Sequence, residues 1–255
     1  MWSSIETVYH PKSLTEAWEM SRTTGAVLIG GGTYLAAERD SEIIRLIPLK
    51  AHLQGEITLA RDAVTLGAGV DLQTMVEYAW PEHFQALAEA ARESCPSMNI
   101  RNQRTLGGEL ANSRFDSELV ILLHALNPRL SVVQAQESTE YLVEWSGDGI
   151  IRDVMLEIAP EMRLKYLRFA PIPSALPFLG VAGFSAADGC RIVVGGNVDS
   201  LSVLEFDTKD FGAKQQELVL EHAEDTLLPD HFGGVSYKRK LLMTALTRLE
   251  DALCG

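Results

Sequence analysis

The sequence predicts an α+β protein: an N-terminal region built around two glycine turns, then a smaller domain of antiparallel strands and helices. Three observations carry this. In the first half, short apolar strand-like runs alternate with segments of helical period. Glycine clusters stand at 30–32 and 107–108, each ahead of a helical segment. Toward the end, two strand runs joined by Asp188-Gly189 precede two closing helices. Of the 255 residues, 46% are hydrophobic and 22% charged, which excludes a disordered or fibrous chain. The length suits one large domain or two modest ones.

Pro11-Lys12-Ser13-Leu14 opens a helix, with Ser13 as N-cap and Glu16 as its capping-box partner. Ala26-Val27-Leu28-Ile29 reads as a buried strand running into Gly30-Gly31-Gly32-Thr33, and Ile43, Ile44, Leu46 and Ile47 mark a second strand. Residues 57–59 and 64–66 form a hairpin around Arg61-Asp62, ended by Gly67-Ala68-Gly69. Asp71 caps a helix carrying Leu72, Met75 and Val76. A further helix covers about 84–93. Residues 100–108 are turn-rich and basic, and 118–126 is an apolar helix closed by Asn127-Pro128. Strands are expected at 130–133 and 141–144, and a domain boundary near Pro160. Beyond it, 178–185 and 190–194 read as antiparallel strands, and 214–222 and 237–253 as helices.

Acids outnumber Lys plus Arg by 35 to 22, a net charge of -13. Such a field repels a phosphate backbone, so nucleic acid is not an expected partner. Cys95, Cys190 and Cys254 are far apart and no C-x-x-C occurs, so neither a zinc nor an iron–sulfur framework is expected, and reduced thiols are the simplest account. Met1-Trp2-Ser3-Ser4-Ile5-Glu6 has no basic region before an apolar run. The apolar stretch at 119–126 is too short to span a bilayer. The expected location is the cytoplasm, with no membrane partner.

The glycine turns carry the chemistry. Glycine lets a ligand approach backbone closely, and successive N–H groups in such a turn form an anion-binding nest. The first turn is not G-x-G-x-x-G, because position 35 is Leu, and no Walker lysine follows. The second, Thr105-Leu106-Gly107-Gly108, is preceded by Arg101 and Arg104. Two such turns could hold one diphosphate from opposite sides, or be two unrelated loops; the residues leave both open. Gly195-Gly196-Asn197 is expected as a strand-end turn, Gly233-Gly234 as a loop, and Lys238-Arg239-Lys240 as a solvated face. His124 is expected as a core histidine. The histidines show no metal spacing, and no Ser/His/Asp or Cys/His arrangement stands out, so neither catalytic nor metal-ligating residues are assigned.

Ile29-Gly30-Gly31-Gly32-Thr33-Tyr34-Leu35 resembles the A-G-G-T-D-L segment of the FAD-binding subunits of molybdenum hydroxylases, such as the flavin subunit of xanthine dehydrogenase and the medium subunit of aerobic carbon monoxide dehydrogenase. Ile100-Arg101-Asn102 through Thr105-Leu106-Gly107-Gly108-Glu109-Leu110-Ala111-Asn112 resembles that family's I-R-N-x-x-T-I-G-G-N-I-x-N. Leu66-Gly67-Ala68-Gly69, Tyr166-Leu167-Arg168-Phe169, Gly180-Val181-Ala182 and Ser236-Tyr237-Lys238-Arg239 are similar to further family segments, in order along nearly the whole chain.

The resemblance implies a PCMH-type FAD-binding fold: residues 1–165 as two α/β subdomains (about 1–50 and 51–165) and 166–255 as a C-terminal domain of antiparallel sheet and helix. It implies FAD as cofactor, with Ile29, Gly30, Gly31, Gly32, Thr33, Tyr34 and Leu35 as the first cradle and Thr105, Leu106, Gly107 and Gly108 as the second. A family aspartate near the flavin or ribitol falls on Glu118, and a basic residue near the isoalloxazine falls on Arg168. The implied role is an electron-transfer subunit. It would take electrons from a [2Fe–2S] small subunit, fed by a molybdopterin large subunit, to an acceptor such as NAD. The family's Asn after Gly-Gly is here Glu109, its Asp in the first turn is Tyr34, its Ser-Pro pair is Arg114-Phe115 and its later Asp is Glu118. Two alternatives are a divergent scaffold with lost or weakened FAD binding and a stand-alone flavoprotein oxidase, for which no general base stands out.

Overall fold

The structure is a computed structural model describing residues 4–38, 40–159, 161–207 and 211–254. Met1 to Ser3 of the N-terminal reading and the boundary expected at Pro160 lie outside the described residues. In chain order the elements begin with β1 (Thr7–Val8), α1 (Leu14–Ser21), β2 (Ala26–Ile29), α2 (Thr33–Glu38), β3 (Arg45–Pro48), β4 (Ile57–Leu59) and β5 (Ala63–Gly67). The middle holds α3 (Leu72–Glu77), α4 (Gln85–Ser94), α5 (Met98–Arg101), α6 (Leu106–Asn112), α7 (Glu118–Leu126), β6 (Arg129–Val133) and β7 (Glu137–Tyr141). The rest is β8 (Ile150–Glu157), β9 (Arg163–Phe169), β10 (Leu179–Ala186), β11 (Gly189–Gly196), β12 (Ser202–Phe206), α8 (Ala213–Glu224) and α9 (Val235–Cys254).

The chain divides into two compact units, each made of interleaved segments. The first holds residues 1–75, 97–112 and 128–157; the second holds 76–96, 113–127 and 158–255. By contacts, residues 76–96 and 113–127 therefore group with the C-terminal segment, whereas the resemblance implies contiguous subdomains of about 1–50 and 51–165 followed by a domain at 166–255.

The first unit contains a parallel three-stranded sheet, β1-β3-β2, and an antiparallel five-stranded sheet, β4-β5-β8-β6-β7. Ser13 caps α1 by accepting from the Glu16 amide, and Glu16 reaches back to the Lys12 amide. Ala17 and Ile47 are buried between α1 and the parallel strands, with Trp18 and Leu28 packed around them. The expected strand at 141–144 is corrected: the strand is β7, and residues 142–144 form a 3₁₀ turn. The apolar Leu142 and Val143 invite that reading, whereas β7 is a polar edge strand with no apolar alternation. The sheet's central strand, β8, is an element that the sequence pattern does not announce. A β-bulge between Ser131 and Val132 shifts its pairing with β6, so its buried positions change parity between Ile151 and Val154.

The second unit is an antiparallel sheet, β12-β11-β10-β9, covered on both faces. Leu179, Val181, Ile192 and Val194 pack against α8 and α9 through Val219, Ala223, Leu242, Ala245 and Leu246. The opposite face of β10 and β11 meets α7. There a Cβ on Gly180 or Gly195 would stand 2.8 Å from Ile121, so these glycines let the helix lie close. Gly195 and Gly196 thus end β11 itself, correcting the expected turn. Asn127 closes α7 in the left-handed region, at φ 47. Lys238 is fully buried, contrary to the expected solvated face. Its ammonium donates to the Leu228 carbonyl (2.7 Å) and to Asp230 Oδ2 (2.6 Å). His124 behaves as expected: its Nδ1 lies 2.8 Å from the Val120 carbonyl, and burial lowers its pKa.

Candidate functional site

The two glycine segments meet in the first unit. β2 delivers Gly30, Gly31 and Gly32 to the start of α2, so Thr33, Tyr34 and Leu35 form that helix's first turn. The second segment differs from the expected loop: Leu106, Gly107 and Gly108 are the first turn of α6. Thr105 stands ahead of it, and its Oγ1 accepts from the Gly108 amide at 3.2 Å, as an N-cap does. Leu106 is fully buried, so it offers the site only backbone.

Hydrogen bonds pin this second segment to the Gly67-Ala68-Gly69 turn. The amides of Leu106 and Gly107 donate to the carbonyls of Val70 and Ala68, and Leu72 donates to Arg104. A Cβ on Gly107 would stand 2.8 Å from that of Ala68, which explains the small residues on both sides. The contact with the first segment is closer still. A Cβ on Gly31 would overlap the Gln103 carbonyl oxygen, and one on Gly30 would lie 2.9 Å from Thr105 Oγ1.

This junction is flanked by two clefts. One, of about 230 Å³, is lined by residues 30–35, Arg104, Thr105 and Gly108, among others. The other, of about 530 Å³, shares Gly30, Gly31 and Thr105 and adds Lys50, Asp71 and Asn102. In α6 the amides of Leu106, Gly107 and Gly108 are already taken by Val70, Ala68 and Thr105, whereas the first-turn amides of α2, which begins at the first cleft, have no intrahelical acceptor. Together with the Arg104 guanidinium the α2 amides form a donor set suited to a dianion such as a diphosphate.

Side chains beside the cleft form a tight cluster. Tyr34 Oη donates to Glu109 Oε2 at 3.0 Å. The Arg104 guanidinium lies over the Tyr34 ring, 4.2 Å from its centroid, with Nη1 3.8 Å from Glu109 Oε2 and Nε 3.4 Å from Thr33 Oγ1. Glu109 has no exposed side-chain surface. Arg104 is not among the site residues that the sequence assigns, although it adjoins Thr105 in a visible basic run. Arg101 in the same run is a structural pin: it is buried and donates to Gln73 Oε1 at 2.8 Å.

The profile of the FAD binding domain in molybdopterin dehydrogenase matches residues 3–145. The chain belongs to this family. Its cofactor is therefore FAD, and the glycine junction fits the diphosphate of that cofactor by its donor set and by the space left beside the two turns. No match was found among curated proteins.

Solved structures show the same fold over the whole chain. The chain is similar to quinoline 2-oxidoreductase from Pseudomonas putida 86, with a TM-score of 0.78 at 16% identity, over 100% of this chain and 99% of that one. It is likewise similar to carbon monoxide dehydrogenase from Hydrogenophaga pseudoflava (TM-score 0.77, 17% identity, 98% of this chain and 97% of that one). Reconstituted CO dehydrogenase from Oligotropha carboxidovorans gives 0.74 at 15% identity, over 99% and 98% of the two chains. At these identities the likeness is one of fold.

The other two family positions, Glu118 and Arg168, are partners within the second unit. Glu118 is the first residue of α7 after the N-cap Ser117 and is fully buried. Arg168, on β9, donates through Nε to Glu118 Oε1 at 3.1 Å and lies 3.4 Å from Glu93 Oε2. It also donates to the carbonyls of Pro173 and Ala175. Burial outweighs the arginine and raises the Glu118 pKa to about 7. Its Oε2 is buried without a hydrogen-bond partner, as is the hydroxyl of Tyr166, whose pKa burial raises well above the usual phenol value. Sequence reading misses Tyr166 and Glu93 as members of this cluster, because their pairing depends on β9 lying beside α4 and α7. Among the described residues no His/Cys/Asp/Glu group is placed to hold a metal, and no helix is long and apolar enough to cross a membrane.

Proposed function

We propose that this chain is the flavin-carrying electron-transfer subunit of a molybdopterin-dehydrogenase complex. In this reading the diphosphate of FAD lies at the junction of residues 30–35 and 105–108. Electrons come from [2Fe–2S] clusters on a small partner subunit, fed by a molybdopterin large subunit, and leave to an acceptor, with NAD among the candidates. The meeting of Gly31 with Gln103 and of Gly30 with Thr105 carries the proposal. It makes one site from two segments distant in sequence.

FAD, when bound, supplies the redox chemistry, and the protein supplies position and electrostatics. The first-turn amides of α2 offer donors to phosphate oxygens, and Arg104 offers positive charge. Thr105 fixes the start of α6 through Oγ1. In the second unit, Glu118 and Arg168 form a cluster of their own. Two carboxylates and two carbonyls hold the Arg168 guanidinium in place, and Glu118 Oε2 can hold or release a proton near neutral pH.

Reconstituting the purified full-length chain with excess FAD and then removing unbound flavin tests the reading. A retained flavin absorbance spectrum at about one FAD per chain supports it. A colourless protein favours a scaffold subunit that has lost its cofactor. The observation on the scaffold side is that Arg104, the cation lining the 230 Å³ cleft among the described residues, already faces the carboxylate of Glu109.

A further inference from the structure

Tyr34 and Glu109 are two of the places where this chain leaves the family pattern, and they are 75 residues apart. In the structure they are one contact, closed by the Tyr34–Glu109 hydrogen bond and bridged by Arg104. We infer that Tyr34, Arg104 and Glu109 act as one unit that sets the affinity of the adjoining cleft for a nucleotide diphosphate, with Glu109 a built-in competitor for the charge of Arg104. The inference rests on the placement of the FAD diphosphate proposed above.

Arg104 and Tyr34 line the cleft, and Glu109 lies behind them without solvent contact. Water cannot screen a carboxylate in that position, so its charge acts on the guanidinium and on any anion bound against it. The Tyr34 hydroxyl takes part of that charge by donating to Oε2, and Arg104 takes another part. Arg104 is therefore held over the Tyr34 ring with its charge partly neutralised. A diphosphate entering the cleft meets a cation already shared with an internal anion. Removing the carboxylate charge while keeping its shape releases Arg104 for the ligand. Removing the Tyr34 hydroxyl leaves Glu109 more dependent on Arg104.

Calorimetric titration of the full-length apoprotein with ADP, FAD and adenosine tests this, with thermal melting confirming that each variant is folded. Glu109→Gln should bind ADP and FAD more tightly than the parent by about ten-fold or more, ten-fold being near what a unit charge a few ångströms away exerts even when water screens it. Adenosine, which lacks phosphates, should be unaffected. Tyr34→Phe should bind ADP more weakly, and the double variant should return toward Glu109→Gln. If the parent binds ADP but Glu109→Gln binds it equally or more weakly, the inference is overturned and the FAD placement stands. If neither form binds ADP or FAD, both are overturned together.

Discussion

The carbonyl oxygen of Gln103 occupies the space that a side chain on Gly31 would need. The residue type at 31 is thus fixed by contact between the two glycine segments, in addition to anything a ligand requires. Backbone meets backbone here, so no flexible side chain can move aside to relieve a substitution.

Gly31→Ala should therefore push the segments apart. Forcing a methyl group into a filled site costs typically 1–3 kcal/mol, and the upper end of about 3 kcal/mol is expected where the obstacle is backbone. Urea unfolding should show that loss, and FAD affinity should fall with it because the cleft is widened.

Glu118 makes stability depend on pH. Its folded-state pKa is about 7 against an ordinary 4.5, with burial the chief cause. Between those values the folded state keeps a proton that the unfolded chain has released, so this group's contribution to stability falls as pH rises through the window. Glu118→Gln removes the penalty while retaining an acceptor for Arg168. The variant should match the parent near pH 4.5 and exceed it at pH 8, by at most about 3 kcal/mol. Denaturation curves at the two pH values check both the sign and the window.

Lys238 gives a prediction in the second unit. Its fully buried ammonium bonds to Asp230 and to the Leu228 carbonyl, tying the loop before α9 to that helix. For Asp230, burial pushes the carboxyl pKa up, but hydrogen bonds from Lys238 and from the amides of Phe232 and Gly233 outweigh it and lower the pKa below 3.8. That stabilisation is present above pH 3.8 and is lost as pH falls through the folded-state value. Lys238→Met should cost about 3 kcal/mol at pH 7 by leaving both acceptors without the cation, and less in strong acid. Thermal melting across that range reads the effect.

What the sequence reveals depends on how local each cause is. Helix α7 is legible because an apolar run broken only by His124 and the following Asn127-Pro128 mark its body and end within one short stretch, while its Ser117 cap emerges only in the structure. The Ser13 cap and the β4–β5 hairpin are legible for the same reason. Strand β8 is hidden because Arg152 is an extra residue opposite the Ser131–Val132 step of β6, so the strand's own apolar alternation is broken. Lys238 misleads because its neighbours Arg239 and Lys240 are solvated and nothing local marks the burial of the first of the three. At the candidate site the glycine motifs are visible, and so are the departures at Tyr34 and Glu109. Their meeting is not, because it depends on α2 and α6 starting at the same cleft. Residues 106–108 read as loop because two glycines weaken a helix, whereas the bonds to Val70 and Ala68 hold them in one.

The account turns on the two glycine segments gripping one diphosphate, and Gly108→Asp tests this most directly. Gly108 lines the cleft, and a Cβ there would meet only Thr105 Oγ1, at 3.0 Å. An acid is also well tolerated in the first turn of a helix, so the fold should survive. Titration of parent and variant with FAD, followed by quenching of flavin fluorescence, should show affinity in the parent and its loss by about a hundred-fold or more in Gly108→Asp, with melting temperature nearly unchanged. Equal FAD affinity in the two proteins would contradict the account.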